Sequence, residues 1–301
     1  MDFLSELYNI YDRENIFTDE PMNIHTTFRA GGPAKYLVKP ALTSHIIDTI
    51  RLCRKYDVPY TVVGNGSNIL VSDKGYDGLV ILISDELGRV EVNGKRITAG
   101  AGAMLSKVAN AALKASLKGM EFAAGIPGTV GGASVMNAGA YGGEIKDVIV
   151  SAKAVDRDGN ILDFTVDEME LSYRHSIFAD NEYIIVEAVF ELEEGDVAEI
   201  SSIMKELAAK RREKQPLEYP SAGSTFKRPT GYFAGALIEE AGLKGRGVGG
   251  ARVSEKHAGF VINYDNATAA DILDTINLVK EEVAKKSSVM LECEIKFLGM
   301  F

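Results

Sequence analysis

The chain has 301 residues, 46% of them hydrophobic, enough to bury the cores of two or three domains. Its formal charge of −10 argues against a broad nucleic-acid surface, and no apolar run approaches the roughly 20 residues that span a bilayer. Cys53 and Cys293 stand far apart with no Cys/His cluster beside them, so neither a disulfide framework nor a metal site is expected. The acidic, amphipathic start, MDFLSELYNIYDREN, differs from the basic-then-apolar pattern of a secretory signal, and a cytoplasmic protein is expected.

Residues 43–57 carry apolar side chains at helical spacing behind a Thr/Ser cap. Tyr60-Thr61-Val62-Val63 reads as a short buried strand that runs into Gly64-Asn65-Gly66-Ser67-Asn68. Strands are predicted at 79–83, 89–92 and 96–99, then a helix at 104–117 and a glycine-rich stretch over 125–143. Residues 147–155, 161–166 and 183–193 read as strands, and a charged helix at 196–213 leads into KQPLEYPSAGS. Two prolines and a glycine make that segment the best candidate domain boundary. Helices at 232–241 and 268–286 and a final strand in LECEIKFLG complete an α+β pattern, too irregular for a simple doubly wound sheet.

Two glycine-rich segments invite a chemical reading. Gly64 to Asn68 follows a strand and can present backbone N–H groups to an anion such as a pyrophosphate, although five such residues also make an ordinary hairpin turn. The stretch 125–143 has seven glycines in nineteen residues, costly in chain entropy unless something requires them. Its apolar members Ile126, Val130, Val135 and Met136 fit a flexible linker poorly and suit backbone packed against a flat ligand. Neither stretch is the G-x-G-x-x-G fingerprint, and no phosphate-binding P-loop is present.

TTFRAGGPA (26–34), VVGNGSNIL (62–70), AGIPGTVGGASVMNAGAYGGE (124–144), YRHS (173–176), AGSTFKRP (222–229) and LECEIKFLG (291–299) occur in that order across almost the whole chain. Together they resemble the UDP-N-acetylenolpyruvoylglucosamine reductases, the MurB family of peptidoglycan synthesis. The resemblance implies an α+β, FAD-binding fold of the vanillyl-alcohol oxidase/p-cresol methylhydroxylase type, plus a C-terminal α+β substrate-binding domain. The segments expected on that basis are 1–84 and 85–200 for the two parts of the FAD-binding region, 201–286 for substrate binding, and 287–301 for a strand returning to the flavin. The family's loops imply cofactor roles for Gly64, Asn65, Gly66, Ser67 and Asn68, and for Ile126, Pro127, Gly128, Ser134, Asn137 and Gly139. NADPH is the implied hydride donor and UDP-N-acetylglucosamine enolpyruvate the implied acceptor; no nucleic acid, membrane insertion or obligate protein partner is expected.

Reducing an enol ether conjugated to a carboxylate requires a cation or donor on that carboxylate, a placed proton source and exclusion of water. By resemblance, Arg174 stabilises the enolate-like charge, Ser224 donates the proton and Glu294 is the third catalytic group. Read without the family, Arg174 suits a surface ion pair, Ser224 a turn or cap, and Glu294 an exposed strand face shared with Glu292. Lys214 matches a family lysine near the substrate or nicotinamide phosphates, and Arg228 occupies a substrate-side position. The chain resembles the shorter type of the family, without the inserted loop whose tyrosine closes over the substrate. Two rivals remain at this stage: a sugar or alcohol oxidase of the same fold, and a nucleotide-sugar binding protein without catalysis.

Overall fold

The computed structural model describes residues 2–301, which divide into two compact units. The first comprises the chain up to Phe17, Tyr36–Asn65 and Gly78–Arg211; the second comprises Thr18–Lys35, Gly66–Asp77 and Arg212–Phe301. Each has its own buried apolar core. The division is therefore discontinuous, unlike the consecutive segments expected from the sequence. Residues 18–35 and 66–77 join the C-terminal unit, which local pattern alone does not reveal.

A five-stranded antiparallel sheet dominates the first unit, in the order Ile161–Thr165, Ile149–Val155, Ile184–Glu191, Arg96–Gly100, Val90–Asn93. Its central strand buries Ile184, Ile185, Val186, Ala188 and Phe190, while the edge strand Val90–Asn93 buries none of its residues. Strand Tyr60–Val63 pairs in parallel with Tyr76–Leu82, Val63 opposite Leu82. The helix Thr43–Tyr56 buries Ile46, Ile50 and Cys53 and stops at Asp57, which takes a left-handed conformation ahead of Pro59. Burial pushes the Cys53 thiol up to about 12, which leaves it a packing residue. An unexpected helix, Val130–Val135, forms inside the glycine-rich stretch, with Thr129 as its N-cap.

In the second unit a three-stranded sheet, Gly247–Val248, Ala251–Val253 and Val261–Asn263, packs under the helix Ala269–Ser287. That helix buries Ile272, Ile276, Val279 and Val283, spaced by three and four residues as one face requires. Its first turn is held twice: by a capping box between Thr268 and Asp271, and by Asp73, which accepts from Ala269 N and Ala270 N at 2.8 Å each. Gly245 to Gly250 has the literal G-x-G-x-x-G spacing yet forms a β-hairpin rather than a strand-to-helix turn. In the terminal segment only Lys296–Leu298 forms a strand, parallel to Ile69–Val71. Among the described residues no helix is long and apolar enough to cross a membrane.

Candidate active site

The first unit joins parts of both glycine-rich segments. Asn65 donates from Nδ2 to the Pro127 carbonyl at 2.7 Å, and a Cβ on Gly64 would lie 2.4 Å from Thr129 Oγ1. The backbone N–H groups of Val130 and Gly131 bond to the carbonyls of Ala103 and Ala101 at 2.8 and 2.9 Å. With its backbone tied in this way, the stretch is a fixed shelf and not a linker.

Five of its glycines answer to the protein itself. A Cβ would press on Arg211 at Gly125, on Ala101 at Gly131, on Gly143 at Gly139 and on Phe122 at Gly143, and Gly142 has φ +93°. Gly128 and Gly132 have no such reason: φ is not positive, and the nearest atoms to a Cβ would be 3.8 and 3.6 Å away. Gly132 is exposed within a helix, where glycine costs about 1 kcal/mol relative to alanine. Backbone bared at that cost suits the close approach of a flat ligand. Ser134 is fully buried, and its Oγ has no hydrogen-bond partner among the described residues, a loss worth about 1–3 kcal/mol. A bare backbone beside an unmatched hydroxyl fits a bound cofactor on this shelf.

Arg174 sits at the tip of a tight hairpin in which Ser172 and His175 exchange backbone hydrogen bonds. Its φ of 57° is a left-handed conformation that costs a side-chain-bearing residue about 1–2 kcal/mol. The hairpin is fastened to the shelf on both flanks. Asn137 Nδ2 donates to Ser172 O at 3.0 Å, and Ser176 Oγ donates to Val135 O at 2.6 Å. Arg174 Nη2 reaches Gly139 O at 3.4 Å, and its guanidinium lies 5.1 Å from the Tyr173 ring centre. Beside it, His175 pairs with Asp180 at 2.8 Å, and that carboxylate raises the imidazole pKa.

In the second unit, the segment carrying Ser224 runs antiparallel to the one carrying Glu294. Phe226 bridges Cys293, Glu294 N donates to Thr225 O and Lys227 N to Glu292 O, both at 2.9 Å. Thr225 is fully buried and accepts from Val261 N through Oγ1 at 2.9 Å, which fixes the backbone next to Ser224. Asn68 braces the other side: Nδ2 donates to Glu294 O at 3.2 Å, and its own carbonyl accepts from Lys296 N at 2.9 Å. Ser224 and Glu294 are both partly buried, whereas Lys214 and Arg228 are exposed. Arg228 donates from Nε to Tyr232 O at 3.4 Å and stacks on Phe233 with 4.0 Å to the ring centre.

The structure thus groups Gly64, Asn65, Ile126, Pro127, Gly128, Ser134, Asn137, Gly139 and Arg174 in one unit, and Gly66, Ser67, Asn68, Lys214, Ser224, Arg228 and Glu294 in the other. The amides of Asn137 and Asn68 bond to the protein and hold the segments of Arg174 and Glu294 in place. Sequence reasoning missed Thr129 and Ser176 as fasteners, although Thr129 just before Val-Gly-Gly carries an N-cap signal. Among the described residues no cluster of three His, Cys, Asp or Glu could hold a metal ion.

Comparison with known proteins gives a consistent result. Residues 215–298 match the C-terminal domain of UDP-N-acetylenolpyruvoylglucosamine reductase, and residues 34–165 match an FAD binding domain. The UDP-N-acetylenolpyruvoylglucosamine reductase of Clostridioides difficile (strain 630) is 51% identical over 99% of this chain and 98% of its own length. That of Agathobacter rectalis is 55% identical over 95% of each. The crystal structure of the Thermus caldophilus reductase superposes with a TM-score of 0.81 at 34% identity, covering 94% of this chain and 98% of that one. Phl p 4.0202, a glucose dehydrogenase, shares the fold alone, with a TM-score of 0.51 at 19% identity over 65% of this chain and 45% of its own.

Proposed function

The chain belongs to the UDP-N-acetylenolpyruvoylglucosamine reductase family, and from that premise we propose the part each residue takes in its reaction. The enzyme is an FAD-dependent oxidoreductase. It reduces the enolpyruvyl group of UDP-N-acetylglucosamine enolpyruvate to the lactyl group of UDP-N-acetylmuramate at the expense of NADPH, a step in making peptidoglycan precursors. The acceptor and NADPH are both phosphorylated and do not cross membranes unaided, which supports a cytoplasmic site of action.

Bound FAD supplies the hydride carrier between the nicotinamide and the methylene carbon of the substrate. Gly64, Asn65, Gly66, Ser67, Asn68, Ile126, Pro127, Gly128, Ser134, Asn137 and Gly139 would hold it, the first segment at its pyrophosphate and the second along the flavin. Arg174 neutralises the substrate carboxylate as negative charge spreads into it; a guanidinium does so with a planar fork of donors and a permanent charge. Holding Arg174 in a strained turn fastened at both flanks avoids reorganisation when that charge develops. Ser224 gives a proton to the carbon next to the carboxylate, and Glu294 acts on the same carboxyl group. Lys214 serves the phosphates of the substrate or of the nicotinamide cofactor, and Arg228 lies on the substrate side. The whole reaction adds one hydride and one proton across the double bond.

One observation carries the assignment of the proton donor and its neighbour: the backbone hydrogen bond from Glu294 N to Thr225 O sets Ser224 and Glu294 on adjoining antiparallel segments. Product analysis in deuterium oxide tests it. Wild-type enzyme with NADPH should give UDP-N-acetylmuramate carrying one solvent deuterium at the carbon beside the carboxylate. Ser224→Ala should accept hydride from NADPH at nearly the wild-type rate yet pass it to the substrate at least about 100-fold more slowly. Equal loss in both half-reactions removes Ser224 from its role. NADPH oxidation that depends on oxygen and leaves the enolpyruvyl sugar intact would favour an oxidase.

A further inference from the structure

His175 follows Arg174 in the hairpin, and both of its ring nitrogens are engaged. Nδ1 lies 3.3 Å from Glu170 O, ahead of the hairpin. Nε2 lies 2.8 Å from Asp180 Oδ2, at the end of the short helix Ile177–Asp180 that follows it. A carbonyl oxygen and an ionised carboxylate only accept, so each contact asks the ring to donate. A neutral imidazole carries one N–H and satisfies one of the two; the imidazolium satisfies both. The ring thereby ties together the two ends of the segment whose tip holds Arg174 at φ 57°. The bonds of Asn137 and Ser176 fasten the same hairpin to the shelf, but those side chains do not titrate.

Asp180 is the chief influence on the imidazole and raises its pKa; burial opposes this, and the carbonyl and carboxylate of Glu170 add to the rise. The turn Asp167–Met169 brings Asp167 and Glu168 nearby, the latter bound to Thr165. The helix Val130–Val135, against which Ile177–Asp180 packs, carries no charged side chain. On the shelf, Glu144 is taken up by Lys146 and Asn137, each at 2.6 Å, while the Arg174 guanidinium reaches Gly139 O and the Tyr173 ring.

We propose that His175 is a positioning residue for Arg174: as the imidazolium it clasps Glu170 to Asp180 and holds the hairpin so that the guanidinium meets the substrate carboxylate. The inference rests on the reading of Arg174 as the cation for that carboxylate. The imidazole exchanges its proton with solvent alone and touches neither substrate nor flavin. Because the folded pKa is raised, the support is complete below the ordinary histidine value, about 6.5, and is lost as pH rises through the folded value. The pair is partly exposed, so its effect is a few-fold and weakens with salt.

The test follows reoxidation of the reduced flavin by sub-saturating UDP-N-acetylglucosamine enolpyruvate between about pH 6 and pH 9. Wild type, His175→Gln and Asp180→Asn are compared, with reduction by NADPH over the same range as the second readout. Wild-type reoxidation should slow about threefold on the alkaline side of an inflection. His175→Gln keeps a donor but no charge, so it should run about threefold below wild type at the acid end and meet it at the alkaline end. Asp180→Asn keeps an acceptor but no charge, and its inflection should move down by about 0.5 pH unit. Reduction by NADPH should keep one pH dependence in all three proteins. An inflection that neither substitution moves overturns the proposal. So do equal changes in both half-reactions, the mark of a general loosening. Arg174→Met that is reoxidised at the wild-type rate defeats the reading of Arg174 itself, and the proposal with it, a distinct result.

Discussion

Asn137 is fully buried at φ 41°, and its amide joins Glu144 at 2.6 Å, Ser172 O at 3.0 Å and Lys146 N at 2.9 Å. Asparagine tolerates the left-handed region better than most residues that carry a Cβ, so one side chain meets the backbone demand and the hydrogen-bonding demand together. Replacing it with alanine strands two backbone groups, and Asn137→Ala should lose about 2–4 kcal/mol of stability in urea. Its turnover should fall while reduction of the flavin by NADPH persists, because the hairpin of Arg174 has lost one of its two fasteners. A variant as stable and as active as wild type would contradict the positioning role. The sequence places Arg174, Ser224 and Glu294 within recognisable blocks, but a hub such as Asn137 is invisible there, because its partners lie 7 to 35 residues away. The partial burial of Arg211 is hidden for a related reason. In Lys210-Arg211-Arg212-Glu213-Lys214 this residue looks like one more solvated charge on a polar helix, and only folding shows that Gly125 lies beneath it.

The helix Ala269–Ser287 was legible almost to the residue, because its apolar spacing, its Thr cap and its length all agree. The short helix Val130–Val135 was not. Glycine propensity argues against any helix there, and packing on Ala101 and Ala103 with the Thr129 cap overrides it. Strands Ile16–Pro21 and Pro33–Val38 also escaped, since each contains a proline and no clean alternation. In the long helix, Asp271 accepts from Thr268 N and Gly250 N, and the Thr268 backbone bond chiefly holds its carboxyl below the usual range. A lowered carboxyl pKa contributes stability that is present above the unfolded value and lost as pH falls through the folded one. Asp271→Asn should therefore be less stable at pH 7 by about 0.5–1 kcal/mol. The gap to wild type should narrow as pH drops below about 4. Urea denaturation along a pH series checks this; parallel curves for the two proteins would exclude it.

Across the whole chain, the outline of an α+β protein with an FAD-binding part and a C-terminal part can be read from composition, periodicity and the order of six motifs. The exchange of segments between units cannot, because Thr18–Lys35 and Gly66–Asp77 join a core whose other members lie more than a hundred residues further on. A charge of −10 does not conflict with an anionic cofactor and substrate, since the expected contacts are backbone N–H groups and a few placed cations rather than a basic field. The measurement that tests the account most directly is the absorption spectrum of the purified protein under anaerobic conditions, with NADPH added first and UDP-N-acetylglucosamine enolpyruvate second. The account predicts a flavin band that bleaches with NADPH and recovers when the enolpyruvyl sugar is added. A protein that takes up no FAD, or a bleached flavin that the enolpyruvyl sugar leaves reduced, would contradict it.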